Sequence, residues 1–574
     1  MKKWFKYVKP YKQYFILGPL CMIVEVIGEV VMPKLLSVVI NRANAGVLTV
    51  PGSLGIMGLM VLTAVLMMLG GVGGAYFGAK ASVNFAADVR SDLYARIQAF
   101  SFANIDKFST GSLVTRLTND VTQMQNFVNM LLRMALRAPG MMIAALIMAV
   151  AIKPSLSLVF AVSIPLLLLT IGCIVKLGFP RFGRMQTKVD GLNSTVRENV
   201  TNVRVVKSFV REKFETEKFR DANADLKAAG MSAMRVVILI SPVMTVFMNA
   251  TVIAVILIGG PIVLEGGMPV GDLSAFLTYV TQILTSLLMV TLLLMISSRA
   301  LASARRIKEV LEEVPDIRDE NTAPRRVEQG SVEFRHVTFR YFKESPDPVL
   351  SDISFTVPAG ATVGIIGSTG CGKTTLVSLI PRLYDPDEGE VLVDGVNVKE
   401  YPLESLREGV GMVLQQNTLF SGSVAENLRW GDPDASDAEL AAVAGYAQAN
   451  RFIESFPEGY ETGIAKGGSN VSGGQKQRLC IARALLKKPK ILILDDSTSA
   501  VDTATEAKIR EAFKNELAGA TKIIIAQRIG SVQEADAIIV MDNGTVTGIG
   551  THEELLATNT AYREIYESQT GKEG

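Results

Sequence analysis

One glycine-rich loop carries the clearest chemical signal in the chain. It lies in TVGIIGSTGCGKTT, residues 362–375, and fits the pattern G-x-x-x-x-G-K-[ST] with Gly367, Gly372, Lys373 and Thr374. An apolar strand leads into it and a helix follows. Successive backbone N–H groups in such a loop close around phosphate oxygens, at a helix N-terminus that favours anions. A chance glycine-rich turn is the alternative, and the combination of strand, motif and helix argues against it.

The loop therefore predicts a nucleotide phosphate site. Lys373 is expected to reach the β- and γ-phosphates, and Thr374 is expected to hold Mg²⁺. The residues assigned to the bound nucleotide here are Gly367, Ser368, Thr369, Gly370, Cys371, Gly372, Lys373, Thr374 and Thr375. Cys371 lies beside the helix N-terminus, a setting that makes thiols reactive, so alkylation slowed by ATP is one expectation. A small filler pointing away from the phosphates is the other.

Two carboxylates follow a second apolar strand. The segment ILILDD, residues 491–496, reads as a buried strand that ends in Asp495 and Asp496. Asp495 fits the acid on the magnesium side of a nucleoside triphosphatase. The loop and this acid still leave a kinase, a GTPase and a motor open.

These motifs lie in the second of two halves that differ in character. Up to about residue 300, long apolar runs alternate with polar stretches. A polar, proline-containing linker follows, and then strand-like segments such as VEFRHVTF and KIIIAQ alternate with helical ones. We expect an all-α transmembrane domain over 1–300, a linker over 301–328 and an α/β domain over 329–574.

Composition supports a membrane-embedded part. Hydrophobic residues make up 49% of the 574 residues and the mean hydropathy is +0.30, high for a soluble protein. The net charge of +2 argues against a nucleic-acid partner. The cysteines lack metal or disulfide spacing and indicate free thiols in a reducing compartment; they are Cys21, Cys173, Cys371 and Cys480.

A membrane span needs about 20 apolar residues. Six segments qualify, and they cover about 15–40, 54–82, 126–152, 155–178, 232–262 and 273–297. The long stretches between spans two and three and between spans four and five are rich in Lys and Arg, which places them in the cytoplasm. Both termini and the α/β domain then lie there too, in a multi-pass protein of the cell membrane.

Charged residues interrupt two of the spans. Glu25 and Glu29 lie four apart in span one, and Arg133 and Arg137 repeat that spacing in span three. Because charges facing lipid are costly, these faces are expected to point into the helix bundle or a wet cavity. Substrate contact or gating is one interpretation; ion pairing between helices, or arginines reaching the headgroups, is the other.

The segment NVSGGQKQR, residues 470–478, decides the class of nucleoside triphosphatase. It resembles the signature motif of ABC ATPases and lies just before the Asp495 strand, as that family requires. FSTGSLVTRLTNDV and ENVTNVRVVKSFVREKFETEKF look like the intracellular segments that carry the coupling helices of ABC exporters. Importers keep the two parts on separate chains, so the fused order implies the exporter fold, and the resemblance covers nearly the whole chain.

The resemblance implies roles for further residues. Tyr341 corresponds to the aromatic that stacks on adenine, and Gln415 to the glutamine that couples the nucleotide and its Mg²⁺ to the membrane domain. Ser499, Ala500, Val501 and Asp502 correspond to the loop that crosses a dimer interface. Each ATP in this family lies between one chain's phosphate loop and the other chain's signature, so a second half is needed. The signature residues that would contact the γ-phosphate are Ser472, Gly473, Gly474 and Gln475.

Three positions depart from the family pattern. The residue after Asp495 is usually a glutamate that polarises the attacking water, and here it is Asp496. The usual switch histidine is Gln527, which can form hydrogen bonds but cannot become a cation. Lys466 replaces a glutamate ahead of the signature, which is otherwise intact except for Val471 in place of leucine.

This combination resembles the degenerate-site half of bacterial heterodimeric exporters of drugs, lipids or peptides. The chain's own site would bind ATP and hydrolyse it poorly, while its signature would complete the competent site of a partner that has Glu and His at the two positions. The alternatives are a homodimer with slow hydrolysis and an ATP-gated regulatory or channel-like membrane ATPase half.

Overall fold

The computed structural model describes residues 4–47, 49–319, 324–497 and 501–571, which form two compact units. The first unit comprises the chain up to Gln98 together with Gly111–Glu312. The second comprises Ala99–Thr110 and the chain from Glu313 onward. A short segment of the N-terminal half therefore packs with the C-terminal half.

Helices account for the regular structure described up to residue 312. In chain order they are α1 (Phe5–Val8), α2 (Lys12–Asn44), α3 (Val50–Gln98), α4 (Phe102–Lys107, in the second unit), α5 (Thr110–Thr115), α6 (Val121–Met134), α7 (Arg137–Ile152), α8 (Pro154–Thr201), α9 (Val203–Ser208), α10 (Glu212–Val237), α11 (Ile240–Leu264) and α12 (Val270–Glu312). A π-helical turn, Arg116–Asp120, joins α5 to α6.

Within the described residues, six helical stretches are long and apolar enough to cross a membrane, which confirms the predicted number. They are Phe5–Asn44, Val50–Gln98, Thr110–Ile152, Pro154–Thr201, Glu212–Leu264 and Val270–Val290. Several far exceed a bilayer core: the 49 residues of α3 span about 70 Å at about 1.5 Å per residue, against about 30 Å of hydrocarbon. These helices therefore continue well beyond the apolar runs that identify them.

Small residues on α3 allow it to pack closely against α2. A Cβ atom on Gly70 would lie 2.8 Å from the carbonyl oxygen of Cys21, and one on Gly74 would lie 2.5 Å from Cε of Met22. Association between helices in lipid relies on such close packing, because lipid tails are as apolar as the helices. A larger residue at Gly70 would clash with the backbone of α2, whereas one at Gly74 would require the Met22 side chain to move.

Glu25 and Glu29 of span one form an ion-pair cluster with Arg137 of span three. Nη2 of Arg137 lies 3.2 Å from Oε1 of Glu25 and 2.6 Å from Oε1 of Glu29. Arg133 is exposed on α6, and its Cγ packs close to Gly78 of α3. The ion-pairing interpretation therefore holds for the two glutamates and Arg137.

The second unit is an α/β domain. Its strands are β1 (Val332–Phe339), β2 (Leu350–Val357), β3 (Thr362–Gly367), β4 (Glu388–Val393), β5 (Val396–Asn397), β6 (Val410–Val413), β7 (Gly422–Ser423), β8 (Gly463–Ile464), β9 (Ile491–Asp495), β10 (Thr521–Ile525), β11 (Ala537–Asp542) and β12 (Thr545–Gly550). Its remaining helices are α13 (Lys373–Ser378), α14 (Leu403–Gly409), α15 (Val424–Leu428), α16 (Asp437–Tyr446), α17 (Asn450–Ser455), α18 (Gly473–Leu486), α19 (Thr503–Glu516), α20 (His552–Thr558) and α21 (Thr560–Thr570).

The two main sheets of this unit differ in strand direction. The larger runs β12-β11-β3-β10-β9-β6, with all neighbours parallel except β12 against β11. A four-stranded sheet runs β2-β1-β4-β5 and is antiparallel. The strands β7 and β8 form a separate two-stranded antiparallel sheet. Both faces of the central strands are covered: Ile493 packs in one apolar cluster and Leu492 in another. Burial on both faces explains the continuous apolar sequence of these strands.

A buried carboxylate links α6 and its preceding turn to α12. Asp120 is 3% exposed and accepts hydrogen bonds from Oγ of Ser303 at 2.9 Å and Nε of Arg306 at 2.8 Å. Nη1 of Arg116 donates to the carbonyl oxygen of Arg306 at 2.9 Å. This network fixes the register of two long helices.

Replacing Asp120 by alanine should lower the free energy of unfolding by about 2 kcal/mol, because it removes charge-assisted hydrogen bonds from a buried site. Asp120→Asn, which keeps an acceptor, should cost less. Thermal unfolding of the purified chain in detergent measures both. Asp225→Ala is the control, because it removes an exposed ion pair with Lys188 and should leave the midpoint unchanged. Equal shifts for the two alanine variants would contradict the network's role.

Candidate nucleotide site

Three neighbouring parallel strands bring the predicted site residues to one edge of the large sheet. β3 leads into the phosphate loop, β9 ends at Asp495, and Gln527 follows β10. β10 pairs with both of the others. Ligands of open α/β sheets bind in the crevice at the carboxyl ends of the strands, so the topology places these segments where a nucleotide would bind.

Three glycines of the phosphate loop, Gly367, Gly370 and Gly372, have positive φ angles that favour glycine. Gly367 has φ 155° and a Cβ there would lie 2.0 Å from the carbonyl oxygen of Met541. Gly372 has φ 97° and begins α13. Nζ of Lys373 folds back over the loop and donates to the carbonyl oxygens of Gly367 and Ser368, each at 2.8 Å. The ammonium group thus lies over the loop that is predicted to hold phosphate.

The Cys371 thiol is buried, and its Sγ lies 3.7 Å from Nζ of Lys373. It is 4% exposed and packs in the apolar cluster that also contains Ile365, Leu376 and Met541. Burial of the thiol favours the filler interpretation over nucleotide-dependent alkylation.

Asp495 is suited to a metal ion. It is 1% exposed, its Oδ2 has no hydrogen-bond partner, and the Thr374 hydroxyl bonds to its carboxyl group. Burial raises the pKa of Asp495, with the hydrogen bond from Thr374 acting against it. A buried oxygen without a partner beside a hydroxyl matches the oxygen ligands that Mg²⁺ prefers. When bound, the ion would polarise a phosphoryl oxygen.

The two residues that depart from the family pattern contact each other. Nε2 of Gln527 donates to Oδ2 of Asp496 at 2.8 Å. Asp496 has φ 48°, in the left-handed region that Asp adopts more readily than most residues. Burial raises the pKa of Asp496, and the hydrogen bond from Gln527 acts in the opposite direction. The carboxylate is therefore held by an amide that cannot accept its proton.

Two other predicted nucleotide residues lie on the surface. Tyr341 is 41% exposed, and its hydroxyl lies 2.9 Å from Oγ1 of Thr375 in α13. Gln415 is exposed just beyond β6, which borders β9. Both are placed at the rim of the loop and strand-end region rather than within the sheet.

The signature residues begin α18. Oγ of Ser472 accepts from the backbone N–H of Gln475 at 3.3 Å, and Oε1 of Gln475 accepts from the backbone N–H of Ser472 at 2.9 Å. This reciprocal cap orders the exposed start of a 14-residue helix, whose free N–H groups favour an anion. Lys466 is exposed. Ser499 and Ala500 lie outside the described residues, and Asp502 caps α19.

Comparisons with known proteins match both units. Residues 15–287 match the ABC transporter transmembrane region, and residues 350–499 match the ABC transporter ATP-binding domain. The chain is 38% identical to the uncharacterized ABC transporter ATP-binding protein YfiB of Bacillus subtilis, over 100% of this chain and 99% of that protein. It is 34% identical to a fatty acid ABC transporter ATP-binding/permease protein of Mycobacterium tuberculosis, over 83% of this chain and 75% of that protein.

The chain belongs to the ABC transporter family. Its fold is similar to that of a bacterial Atm1-family ABC exporter with ATP bound, with a TM-score of 0.78, 24% identity and coverage of 98% of this chain and 99% of the other. An ABC transporter couples ATP hydrolysis to transport, and the phosphate loop, Asp495 and the signature remain the predicted nucleotide-binding parts of this chain. Its six membrane-crossing stretches make it a multi-pass membrane protein.

One residue that supports the transporter's nucleotide site could not be predicted from sequence motifs. Gln569 of α21 donates from Nε2 to the carbonyl oxygen of Gln527 at 2.8 Å, and its Oε1 accepts from the backbone N–H of Ile529 at 2.9 Å. Gln569 therefore fixes the loop after β10 on both sides of Arg528. Nothing in the surrounding sequence distinguishes it from a surface glutamine.

The burial of Cys371 predicts slow alkylation of this thiol by N-ethylmaleimide in the folded transporter. Saturating Mg-ATP should change the rate by less than about twofold, because the thiol is buried whether or not nucleotide is present. Mass spectrometry of the tryptic peptide measures the rate, and SDS-unfolded protein is the control for a fully reactive thiol. Rapid labelling that ATP suppresses would show instead that the thiol faces the nucleotide.

Proposed function

We propose that this chain is one half of a heterodimeric ABC exporter of amphipathic compounds, with ATP and Mg²⁺ as cofactors. Its own phosphate loop binds ATP at a site of low turnover. Its signature completes the partner's competent site, and the partner carries Glu and His where this chain has Asp496 and Gln527. The transporter lies in the cell membrane of a bacterium, with the ATP-binding domain and both termini in the cytoplasm.

The observation that carries the asymmetry is the 2.8 Å hydrogen bond between Gln527 and Asp496. A general base must reach the water proton with its own carboxylate oxygen, and an error of about 1 Å in reactive geometry costs about 100-fold in rate. Aspartate is one methylene shorter than glutamate, and the Gln527 amide occupies an oxygen of its carboxylate. Both effects lower hydrolysis without removing the phosphate loop or the magnesium ligands.

The signature supports the second part of the proposal. Ser472 and Gln475 form the reciprocal cap, and both glycines of the motif, Gly473 and Gly474, are present. An exposed, ordered helix N-terminus is suited to the γ-phosphate of an ATP held by another chain. The chain thus combines a weakened set of hydrolytic residues with an intact set of signature residues, as a heterodimer requires.

A cavity of about 460 Å³ in the membrane unit supports an amphipathic substrate. One wall is polar: α12 contributes Thr278, Thr281, Gln282, Thr285 and Ser286, at the spacing of one helix face. Methionines line much of the remainder, with Met32, Met60, Met67, Met141 and Met289. Polarisable, flexible methionines adapt to varied apolar shapes. Glu29 and Arg137 also line the cavity.

The proposed asymmetry predicts that ATPase activity depends strongly on the signature residues of this chain and weakly on the residues of its own ATP site. Ser472→Arg should nearly abolish steady-state ATPase activity of the purified heterodimer, because it places bulk and charge against the partner's γ-phosphate. Gln527→Ala should reduce activity by less than about twofold, since its site contributes little turnover. Asp496→Glu alone should restore little.

Ser436→Arg is the matched control for Ser472→Arg. Ser436 and Glu439 form the same reciprocal cap on α16 of the same domain, so this variant loses an equivalent cap and should keep its activity. If Gln527→Ala silences the ATPase while Ser472→Arg leaves it running, the sites are reversed and the heterodimer proposal fails. Full activity of this chain without a partner would instead establish a homodimer.

The cavity predicts that Glu29 contacts cationic substrates. Glu29→Gln should reduce transport of a cationic amphiphile severalfold more than transport of a neutral analogue, while Arg137 keeps its ion pair with Glu25 and expression is unchanged. Glu25→Gln is the control, because it removes a charge from the same cluster but from a residue outside the described cavity lining. Uptake into inside-out vesicles measures both. Equal losses for both compounds would assign Glu29 a structural role only.

A further inference from the structure

Helix α4 is attached to the ATP-binding domain through a tyrosine. The hydroxyl of Tyr384 donates to Oδ2 of Asp106 at 2.8 Å, and its ring packs edge-on against Phe102 at 6.0 Å between centroids. Both partners lie on α4. Along the chain, α4 follows α3, which ends at Gln98. Tyr384 therefore holds the short helix that directly continues a membrane-crossing helix.

The same tyrosine contacts the side chain predicted to stack on adenine. Tyr384 and Tyr341 form an edge-on pair with centroids 5.3 Å apart and planes at 88°. Phe339 packs against both rings, at 5.0 Å from Tyr341 and 5.5 Å from Tyr384. Three rings thus form one packed group, in which a change in the plane of Tyr341 alters its preferred edge-on contact with Tyr384.

The bond between Tyr384 and Asp106 persists over the physiological pH range. Burial raises the pKa of Tyr384 well above its usual range, and the hydrogen bond to Asp106 acts in the same direction. The hydroxyl therefore stays neutral and remains a donor to a carboxylate, which is the stronger kind of hydrogen bond. Tyr384 therefore contacts α4 through its hydroxyl group and Tyr341 through its ring.

A second set of contacts fixes the other polar side chains of α4. Nδ2 of Asn104 donates to Oε1 of Glu313 at 3.1 Å, and Nζ of Lys107 lies 2.9 Å from Oε2 of the same residue. Ser101 and Asn104 cap the helix. With its start capped and Glu313 holding one side, α4 has a further attachment through Asp106 and Phe102 to Tyr384.

We propose that Tyr384 is a positioning residue that transmits occupancy of the adenine site beside Tyr341 to helix α4. Adenine stacked on Tyr341 fixes that ring, the edge-on contact fixes Tyr384, and its hydroxyl fixes Asp106. This inference rests on the proposed stacking role of Tyr341, and it requires neither hydrolysis nor a particular partner.

Hydrogen exchange in the full-length transporter in lipid nanodiscs tests the proposal. The amides of Ile105 and Phe108 are hydrogen-bonded within α4 and report its opening. Mg-ATP should slow their exchange by about tenfold, the effect of strengthening one charge-assisted hydrogen bond. Magnesium tripolyphosphate, which occupies the phosphate loop without a base, should leave these amides unchanged. Equal slowing by tripolyphosphate would overturn the route through Tyr341.

Tyr384→Phe keeps the ring and removes the bond to Asp106. At ATP concentrations that saturate each variant, it should abolish the ATP-dependent slowing of exchange in α4 while phosphate-loop protection remains. Asp106→Ala, which removes the acceptor, should do the same, and the double variant should add nothing. Tyr446→Phe is the matched control, since it removes a tyrosine bond to Glu516 elsewhere in the domain. Retained slowing in Tyr384→Phe, or loss of ATP binding itself, would refute transmission by Tyr384.

Tyr341→Ala distinguishes a failure of this inference from a failure of the proposed stacking role of Tyr341. Weakened ATP binding with loss of slowing in α4 is expected. Unchanged ATP affinity in Tyr341→Ala would refute the stacking role, whereas weakened affinity together with retained slowing in Tyr384→Phe would refute only the role of Tyr384.

Discussion

The parallel pairing of β3, β10 and β9 is the constraint on which the nucleotide site depends. Ile525 pairs with Ile365 on one side and with Asp495 on the other. Because the strands run in the same direction, the phosphate loop, Gln527 and Asp495 all leave the sheet at one edge. A slip of one residue in β9 would turn Asp495 to the opposite face and move each of its apolar neighbours into the other cluster. The burial of Ile491 and Ile493 in one cluster and of Leu492 and Leu494 in the other therefore fixes the site together with the fold.

Features set by local rules could be predicted from the sequence. The phosphate loop follows from glycines that only a tight turn requires, and the membrane spans follow from the length of apolar sequence that lipid demands.

Features set by distant contacts could not be predicted from the sequence. The Tyr384–Asp106 bond joins residues 278 positions apart, and the direction of the Cys371 thiol depends on how the loop packs against Met541. Gln569 likewise gives no sequence signal, because a glutamine that accepts and donates across a loop looks like any surface glutamine. The ion-pair cluster in the spans could be predicted in part. The spacing of Glu25 and Glu29 predicted that they share a helix face, but only the packing of α2 against α7 showed that Arg137 pairs with both.

The departures from the family pattern gain meaning from their contact. Taken separately, Asp496 is a shortened acid and Gln527 an uncharged switch residue. In the folded chain they form one hydrogen-bonded pair, which satisfies a carboxylate whose burial would otherwise be costly. This bond gives Oδ2 of Asp496 a hydrogen-bond partner within the chain. Asp495 differs, because one of its buried oxygens has no hydrogen-bond partner among the described residues, and a bound ion would supply one. The two adjacent carboxylates therefore differ in their hydrogen bonding, which is consistent with the proposed site that binds ATP and hydrolyses it slowly.

A site that binds ATP and hydrolyses it slowly can still do work on the rest of the protein. Ligand that binds only one conformation stabilises it by about 2.7 kcal/mol at 100 times its dissociation constant, whether or not it is later cleaved. Hydrolysis of the bound ATP ends this stabilisation. A site that hydrolyses ATP slowly therefore maintains the stabilisation while a faster site completes many turnovers. Such a contribution matters only if the bound nucleotide contacts an element that changes between states. In this chain the phosphate loop bonds to Tyr341 through Thr375, and Tyr341 packs against the ring that holds α4. The proposed low-turnover site is therefore connected, through side chains in direct contact, to the segment that continues into the membrane helices.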